Sequence, residues 1–123
     1  MSFASSLELA REVADGASRL GSITTSRFFG GAALKLDGIQ FAFVMKTSLY
    51  LRVDDDGRAA MEALGAQPFV YAGASGPVTV GGYYEAPAEI MDDADSLSEW
   101  VIRSYETASA LQRPKPSQAR RPR

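Results

Sequence analysis

The stretch SRFFGGAALKLDG, residues 26–38, decides how the chain folds, because aromatic, glycine and alternating apolar residues follow one another within it. Leu34 and Leu36 alternate with polar neighbours, which is the two-residue period of a β-strand with one buried face. Asp37-Gly38 after them is typical of a two-residue hairpin turn. The stretch therefore predicts a first strand that enters a hairpin at this turn.

Gly30-Gly31 inside this stretch raises the question of a phosphate-binding loop. Such a loop joins a strand to a helix and carries G-x-G-x-x-G or G-x-x-x-x-G-K-[ST] spacing. Here a strand pattern follows the glycines, and neither spacing is present. The favoured interpretation is a bulge or a close backbone approach within the first strand, where a Cβ would clash. Phe28 and Phe29 are then expected to point to opposite faces, one into the core and the other toward a helix or a partner.

Four more strands are predicted downstream. The second and third, over residues 39–45 and 49–53, complete an antiparallel meander with one apolar and one mixed face. The apolar positions of these two strands are Ile39, Phe41, Phe43 and Met45, then Leu49, Leu51 and Val53. Residues 67–71 and 78–84 predict the fourth and fifth strands, and the fifth contains Gly81-Gly82.

Three main helices are predicted around these strands. Apolar residues spaced by three and four positions indicate helices over residues 4–20 and 97–111, the second capped by Asp95 or Ser96. A shorter helix is predicted over residues 56–64, and the adjacent acids before it favour a helix start over a calcium loop. The order α-βββ-α-ββ-α predicts a two-layer α+β sandwich, in which a five-stranded antiparallel sheet carries helices on one face.

The composition limits the chemistry that the chain can perform. Neither histidine nor cysteine is present, so the commonest general base, the commonest zinc ligands and thiolate chemistry are missing. We therefore expect a protein that is not an enzyme and that uses no metal and no cofactor; a small carboxylate-based enzyme is the third alternative for its function. No apolar run has membrane-spanning length, and the N-terminus does not read as a signal peptide. We expect a cytoplasmic protein with no membrane partner.

The charge of the chain is uneven. Residues 112–123 contain five cations and no acid, namely Arg113, Lys115, Arg120, Arg121 and Arg123. The remaining 111 residues hold eight Lys and Arg against fifteen Asp and Glu, a net charge of −7. We expect a folded domain over residues 1–111 and a basic, proline-containing, disordered tail over residues 112–123. The tail is either a solvated segment or a contact to nucleic acid through phosphates.

Four segments of the chain, taken in order, resemble one protein family. They are SRFFGGAALKLDGIQFAFV (26–44), LYLRVDD (49–55), GAQPFVY (65–71) and YYEAPAEIMDDADSLSEWV (83–101). Their order and spacing are similar to the N-terminal domain of TfoX/Sxy proteins, which carries Arg-Met-Phe-Gly-Gly, Leu-Tyr-Leu-Lys-Val, Gly-x-x-Pro-Phe and Tyr-Tyr-x-x-Pro motifs. Phe28 stands where the family usually has Met. Arg52 stands where the family often has Lys. The resemblance covers residues 4 to about 110 and is that of a stand-alone N-terminal domain.

The resemblance implies a fold similar to that of type III secretion chaperones, in a cytoplasmic bacterial protein. It also implies a regulatory rather than an enzymatic role, because full-length members are competence regulators that act in transcription. The expected partner is then a transcription-related protein. A second copy of this chain is a further expected partner, since an open sheet face invites pairing.

Tyr50 and Arg52 are expected on the sheet face that the helices leave open. Tyrosine and arginine together suit protein binding, and they also suit stacking on single-stranded nucleic acid. Ordinary cross-strand pairs that cover a sheet are the structural alternative. The candidate binding residues are Arg27, Phe29, Gly30, Gly31, Tyr50, Arg52, Tyr83 and Tyr84. The leading hypothesis is a regulatory, protein-binding module, and the alternative is a nucleic-acid-associating protein that uses the tail together with this face.

Overall fold

Four helices and six strands make up the part of the chain that the computed structural model describes, residues 3–17 and 20–112. In chain order they are α1 (Phe3–Gly16), β1 (Thr24–Phe28), β2 (Gly31–Leu36), β3 (Ile39–Met45), β4 (Ser48–Arg52), α2 (Asp55–Ala63), β5 (Pro68–Gly73), β6 (Gly76–Glu85), α3 (Ala88–Met91) and α4 (Ala94–Gln112). None of the helices in these ranges is long and apolar enough to cross a membrane. The basic tail predicted from Arg113 onward lies outside the described residues.

The strands form one antiparallel sheet in the order β1-β2-β3-β4-β6-β5. The predicted α+β class is confirmed, although the sheet has six strands where the sequence predicted five. The additional strand is β1, which pairs with β2 through Phe28 and Gly31. Phe29 and Gly30 form the turn between them, with φ values of 47° and 85°. Two consecutive positive φ angles are typical of a tight hairpin turn, so the predicted kinked first strand is a hairpin.

Gly31 lies where the chain leaves this turn and approaches β3. A Cβ built on it would overlap the carbonyl oxygen of Val44 and contact Cα of Met45 at 3.2 Å. The close backbone approach predicted for the glycine pair is therefore confirmed at Gly31. Gly30 has open space around its Cβ position, and its positive φ is the feature that favours glycine.

A β-bulge between β2 and β3 changes which aromatic residues face the core. Leu34 pairs with Ala42, whereas the next residue, Lys35, pairs with Gln40, so β3 has one extra residue. The extra residue is Phe41, and it joins the core together with Ala42. A one-residue shift exchanges the two faces of a strand. The prediction that Phe41 and Phe43 share one face is therefore wrong, because Phe43 lies on the opposite side of the sheet.

The helices cover one face of the sheet and enclose the core. Helix α1 packs on β2 and β3, and α4 packs on β3 and β4. The buried core residues of the strands include Ala32, Leu34, Phe41, Val44, Leu49, Leu51 and Tyr84, and those of the helices include Ala10, Val13, Met61, Ile90 and Val101.

Two aspartates fix the starts of the helices that follow the strands. The carboxylate of Asp54 accepts a hydrogen bond from the Gly57 amide at 2.7 Å and caps α2, as the predicted helix start requires. For α4, the carboxylate of Asp93 accepts from the amides of Asp95 and Ser96. The prediction that Asp95 or Ser96 caps this helix is wrong, because the helix begins at Ala94 and both residues lie within its first turn.

Candidate functional site

A groove of about 580 Å³ lies on the sheet face that the helices leave open. It is lined by Phe28, Phe29, Phe43, Met45, Phe69, Tyr71, Val80 and Tyr83, all from strands or from the β1–β2 turn. Monomeric proteins rarely leave a contiguous aromatic surface of this kind open unless something binds it. We therefore take this groove, called the aromatic groove below, as the candidate site.

Phe43 forms the centre of the floor of the aromatic groove. Its ring centroid lies 4.9–5.0 Å from those of four other rings, namely Phe28, Tyr50, Phe69 and Tyr83. The Tyr50 ring stacks on it, and the Phe69 ring meets it edge to face. Only 2% of Phe43 is exposed, although no helix covers it. The rings thus form a second apolar cluster that holds the floor rigid.

Phe29 forms one wall of the groove and is unusual in two respects. Its φ of 47° lies in the left-handed region, which bulky residues rarely adopt and which costs an L-residue about 1–2 kcal/mol. Its side chain is 85% exposed, with its ring 4.8 Å from that of Phe28. The chain thus holds a large apolar ring in solvent at a strained position. Strain of this kind concentrates at ligand-binding positions.

The opposite wall is an arm formed by β5 and β6 alone. Phe69 pairs with Val80 and Pro68 pairs with Tyr84, so residues 81–83 of β6 have no partner in β5, and β6 pairs with β4 only from Tyr83 to Glu85. The hairpin beyond Phe69 therefore has no further strand beside it. Tyr71 lies on its groove side and is 48% exposed.

Arg52 borders the aromatic groove at the lining residue Tyr83, and it also lines a neighbouring pocket together with Asp55 and Arg58. The guanidinium carbon lies 5.4 Å from the centroid of the Tyr83 ring, which is a cation–π distance. A Cβ at Gly82 would overlap Nη1 of Arg52, so the guanidinium lies directly against the backbone there. Burial raises the pKa of Tyr83, and the Arg52 charge opposes that shift. Tyr83 is therefore a neutral hydroxyl at physiological pH.

Tyr50 lies beside this pair, on the same face. Burial raises its pKa, and the nearby Glu85 carboxylate raises it further. Glu85 itself accepts a hydrogen bond from the Ser48 hydroxyl at 2.6 Å. The polar groups at this edge of the face are thus partly satisfied by one another.

The structure brings some of the predicted site residues together and separates others. Phe29 lines the aromatic groove together with Tyr83, and both Tyr50 and Arg52 adjoin it. Arg27 is opposite the core residue Ala32 in the sheet register, and its side chain therefore belongs to the other face. Tyr84 also lies on the helix face, where it is 3% exposed and part of the core.

Six lining residues were missing from the sequence-based set: Phe28, Phe43, Met45, Phe69, Tyr71 and Val80. Phe43 and Met45 were assigned to the core by their alternation. Phe69 and Tyr71 were recognised only as a short strand. The spacing of alternate residues in β5 was the available signal, since it puts Phe69 and Tyr71 on one face.

Replacing Tyr84 with phenylalanine is expected to lower the free energy of unfolding at pH 8 by about 1 kcal/mol, since one part-buried hydrogen bond is lost. The Tyr84 hydroxyl donates to Oε2 of Glu62 at 2.5 Å, and this bond raises the pKa of Tyr84. Between the unfolded and the raised folded pKa, the unfolded chain has released a proton that the folded chain keeps. The free energy of unfolding therefore falls as the pH rises above about 10. In the Tyr84→Phe variant it should fall less steeply.

Urea titrations at pH 8 and at pH 11 measure this difference for Tyr84→Phe. Tyr71→Phe is the matched control, because it removes a hydroxyl from the half-exposed arm. Tyr71→Phe should lose as much stability between pH 8 and pH 11 as the unmodified chain does. A Tyr84→Phe variant with the same stability and the same alkaline slope would show that the bond to Glu62 contributes nothing.

A comparison with protein-family models agrees with the motifs of the sequence. The model described as the TfoX N-terminal domain matches residues 15–108 of the 123-residue chain. The chain therefore belongs to the TfoX N-terminal domain family. The matched range includes every residue that lines the aromatic groove. No curated protein matches the chain.

Proposed function

We propose that this TfoX N-terminal domain is a non-enzymatic regulatory module of the cytoplasm that binds another protein through its aromatic groove. The observation that carries the proposal is the wall residue Phe29, an exposed phenylalanine held at a positive φ. An exposed aromatic anchor beside a rigid apolar floor is the arrangement found at the centres of protein interfaces.

The chemistry of the groove supports binding rather than catalysis. As the described residues define it, the groove is lined by aromatic, valine and methionine side chains, without a carboxylate or an amine. Its ionisable groups are the hydroxyls of Tyr71 and Tyr83, and burial raises the pKa of Tyr83 further above neutral pH. Membership of the family supports the regulatory part of the proposal and a partner that acts in transcription.

Phe29→Asn tests the proposal without endangering the fold. An Asn-Gly pair is strongly preferred in a tight hairpin turn, so the change relieves backbone strain while removing the exposed ring. We expect the free energy of unfolding to stay within about 1 kcal/mol of that of the unmodified chain, because relief of strain offsets the lost ring contact. The expected result is loss of the partner in quantitative affinity capture from host extract, with the fold retained.

Leu64→Ser is the matched control for this capture experiment. Leu64 is also an exposed apolar residue, but it lies at the C-terminal end of α2 and is not among the lining residues of the aromatic groove. The control should retain the partner in full. Equal capture by the unmodified chain and by Phe29→Asn would refute binding through the groove.

A further inference from the structure

We propose that the partner segment is an amphipathic helix whose apolar side chains fill the aromatic groove and whose carboxylate pairs with Arg52. The inference rests on the proposed function and specifies the chemistry of its partner. It follows from the shape of the groove and from the charge at its border.

The shape of the groove requires a convex occupant. Its floor at Phe43 lies between two walls, Phe29 on the β1–β2 turn and Tyr71 on the β5–β6 arm. A second copy would bring the same concave face, and two such grooves set directly against each other would leave both unfilled. Protein interfaces are packed nearly as densely as protein interiors, so such a void is unfavourable.

A helix provides the convex surface that the groove requires and that a second copy does not provide. With its side chains it is a rod of about 10–12 Å diameter, and residues at i, i+3, i+4 and i+7 form a convex apolar ridge. Helices of this kind bind apolar grooves through those anchor positions. The groove is lined almost entirely by apolar surface, which matches such a ridge.

The charge at the border of the groove adds a polar requirement. Arg52 packs on Tyr83, and among the described residues no carboxylate lies within 4.0 Å of its guanidinium. The nearby acids have partners of their own: Asp54 accepts from the Gly57 amide, and Asp55 pairs with Arg58 at 3.0 Å. A carboxylate on the partner helix, located beyond one end of its apolar ridge, would form a charge-assisted hydrogen bond with Arg52.

Selection from a random 16-residue peptide library displayed on phage tests the inference directly. The immobilised baits are the unmodified chain, Arg52→Gln and Phe29→Asn. From the unmodified chain we expect peptides with apolar residues at helical spacing and an Asp or Glu at one fixed position. Phe29→Asn should enrich none of them, and Arg52→Gln should keep the apolar pattern and lose the acid.

Synthetic copies of one enriched peptide, with Glu or with Gln at the fixed position, then give the coupling to Arg52. Arg52→Gln should weaken the Glu peptide about tenfold, the effect of one charge-assisted bond, and leave the Gln peptide unchanged. Arg103→Gln is the matched control, since Arg103 also lies over an aromatic ring, that of Trp100, but on α4. It should change neither affinity.

The remaining outcomes separate the inference from the proposed function. Peptides that depend on Phe29 but alternate with a two-residue period, or lack the acid, would overturn the helix and leave groove binding standing. A dimer in light scattering that Phe29→Asn dissolves would make the second copy the occupant and overturn the helix. A selection with no peptide dependent on Phe29 would refute the inference, whereas extract capture unaffected by Phe29→Asn would refute the proposed function.

Discussion

Phe43→Ala is expected to lower the free energy of unfolding by about 3–5 kcal/mol, the usual cost of removing a buried phenylalanine ring. Phe43 is 2% exposed and contacts four other rings, although it lies outside the helix-covered core. Its removal leaves a cavity under the aromatic groove that rings held by separate strands cannot close. Urea unfolding followed by circular dichroism measures the change.

Two further variants show how the loss of stability in Phe43→Ala is to be interpreted. Phe43→Leu keeps most of the apolar volume and should cost clearly less than the alanine variant. Phe41→Ala removes the same ring two residues earlier, from the core, where its ring lies 6.0 Å from that of Tyr105. A loss comparable to that of Phe43→Ala is expected. If Phe43→Ala cost less than about 1 kcal/mol while Phe41→Ala cost several, the aromatic cluster would contribute little to stability.

The bulge explains why alternation alone misplaced Phe43. The run from Ile39 to Met45 alternates apolar residues without interruption, and both faces of β3 are in fact apolar. A bulge moves every later residue to the other face, but its position depends on the pairing partner. Since aromatic and aliphatic residues occupy both faces from Phe41 to Met45, this part of the strand contains no polar residue that reveals the shift.

Turn chemistry explains the missing strand. Asp37-Gly38 is a recognised hairpin pair, and the turn that it predicted is present between β2 and β3. The same kind of turn at Phe29-Gly30 has a phenylalanine where asparagine or aspartate is usual, so it gave no turn signal. That departure from local preference coincides with the most exposed aromatic residue of the groove.

The sequence-based set contains Phe29, Tyr50, Arg52 and Tyr83 of the candidate site and its border, but only the two β4 residues follow from local alternation. Tyr50 and Arg52 follow from β4 alone, since its leucines face the helices. Phe69 and Tyr83 reach the groove because β6 pairs with β4, and β5 pairs with the other edge of β6. That pairing is between strands distant in sequence, and no pattern within either strand specifies it. The family motifs indicated the correct fold class without revealing the groove.

Gly31→Val is expected to lower the free energy of unfolding by about 3 kcal/mol, the upper end of the cost of over-packing. Valine is otherwise favourable in strands, so a loss cannot come from its strand propensity. It must come from the Cβ, which would overlap the carbonyl oxygen of Val44 in the neighbouring strand. Because that oxygen belongs to the backbone, β2 and β3 must separate to relieve the contact.

Gly81→Val is the matched control, because Gly81 also lies within a strand and has open space at its Cβ position. The free energy of unfolding of this variant should stay within about 1 kcal/mol of that of the unmodified chain or rise. The reason for a rise is that valine leaves the unfolded chain less conformational freedom than glycine does. Equal losses for the two variants in urea titrations would contradict the close approach at Gly31. A selective loss at Gly31 would show that the wall carrying Phe29 is held in place by backbone contact with β3, since Gly31 is the residue at which that hairpin turn ends.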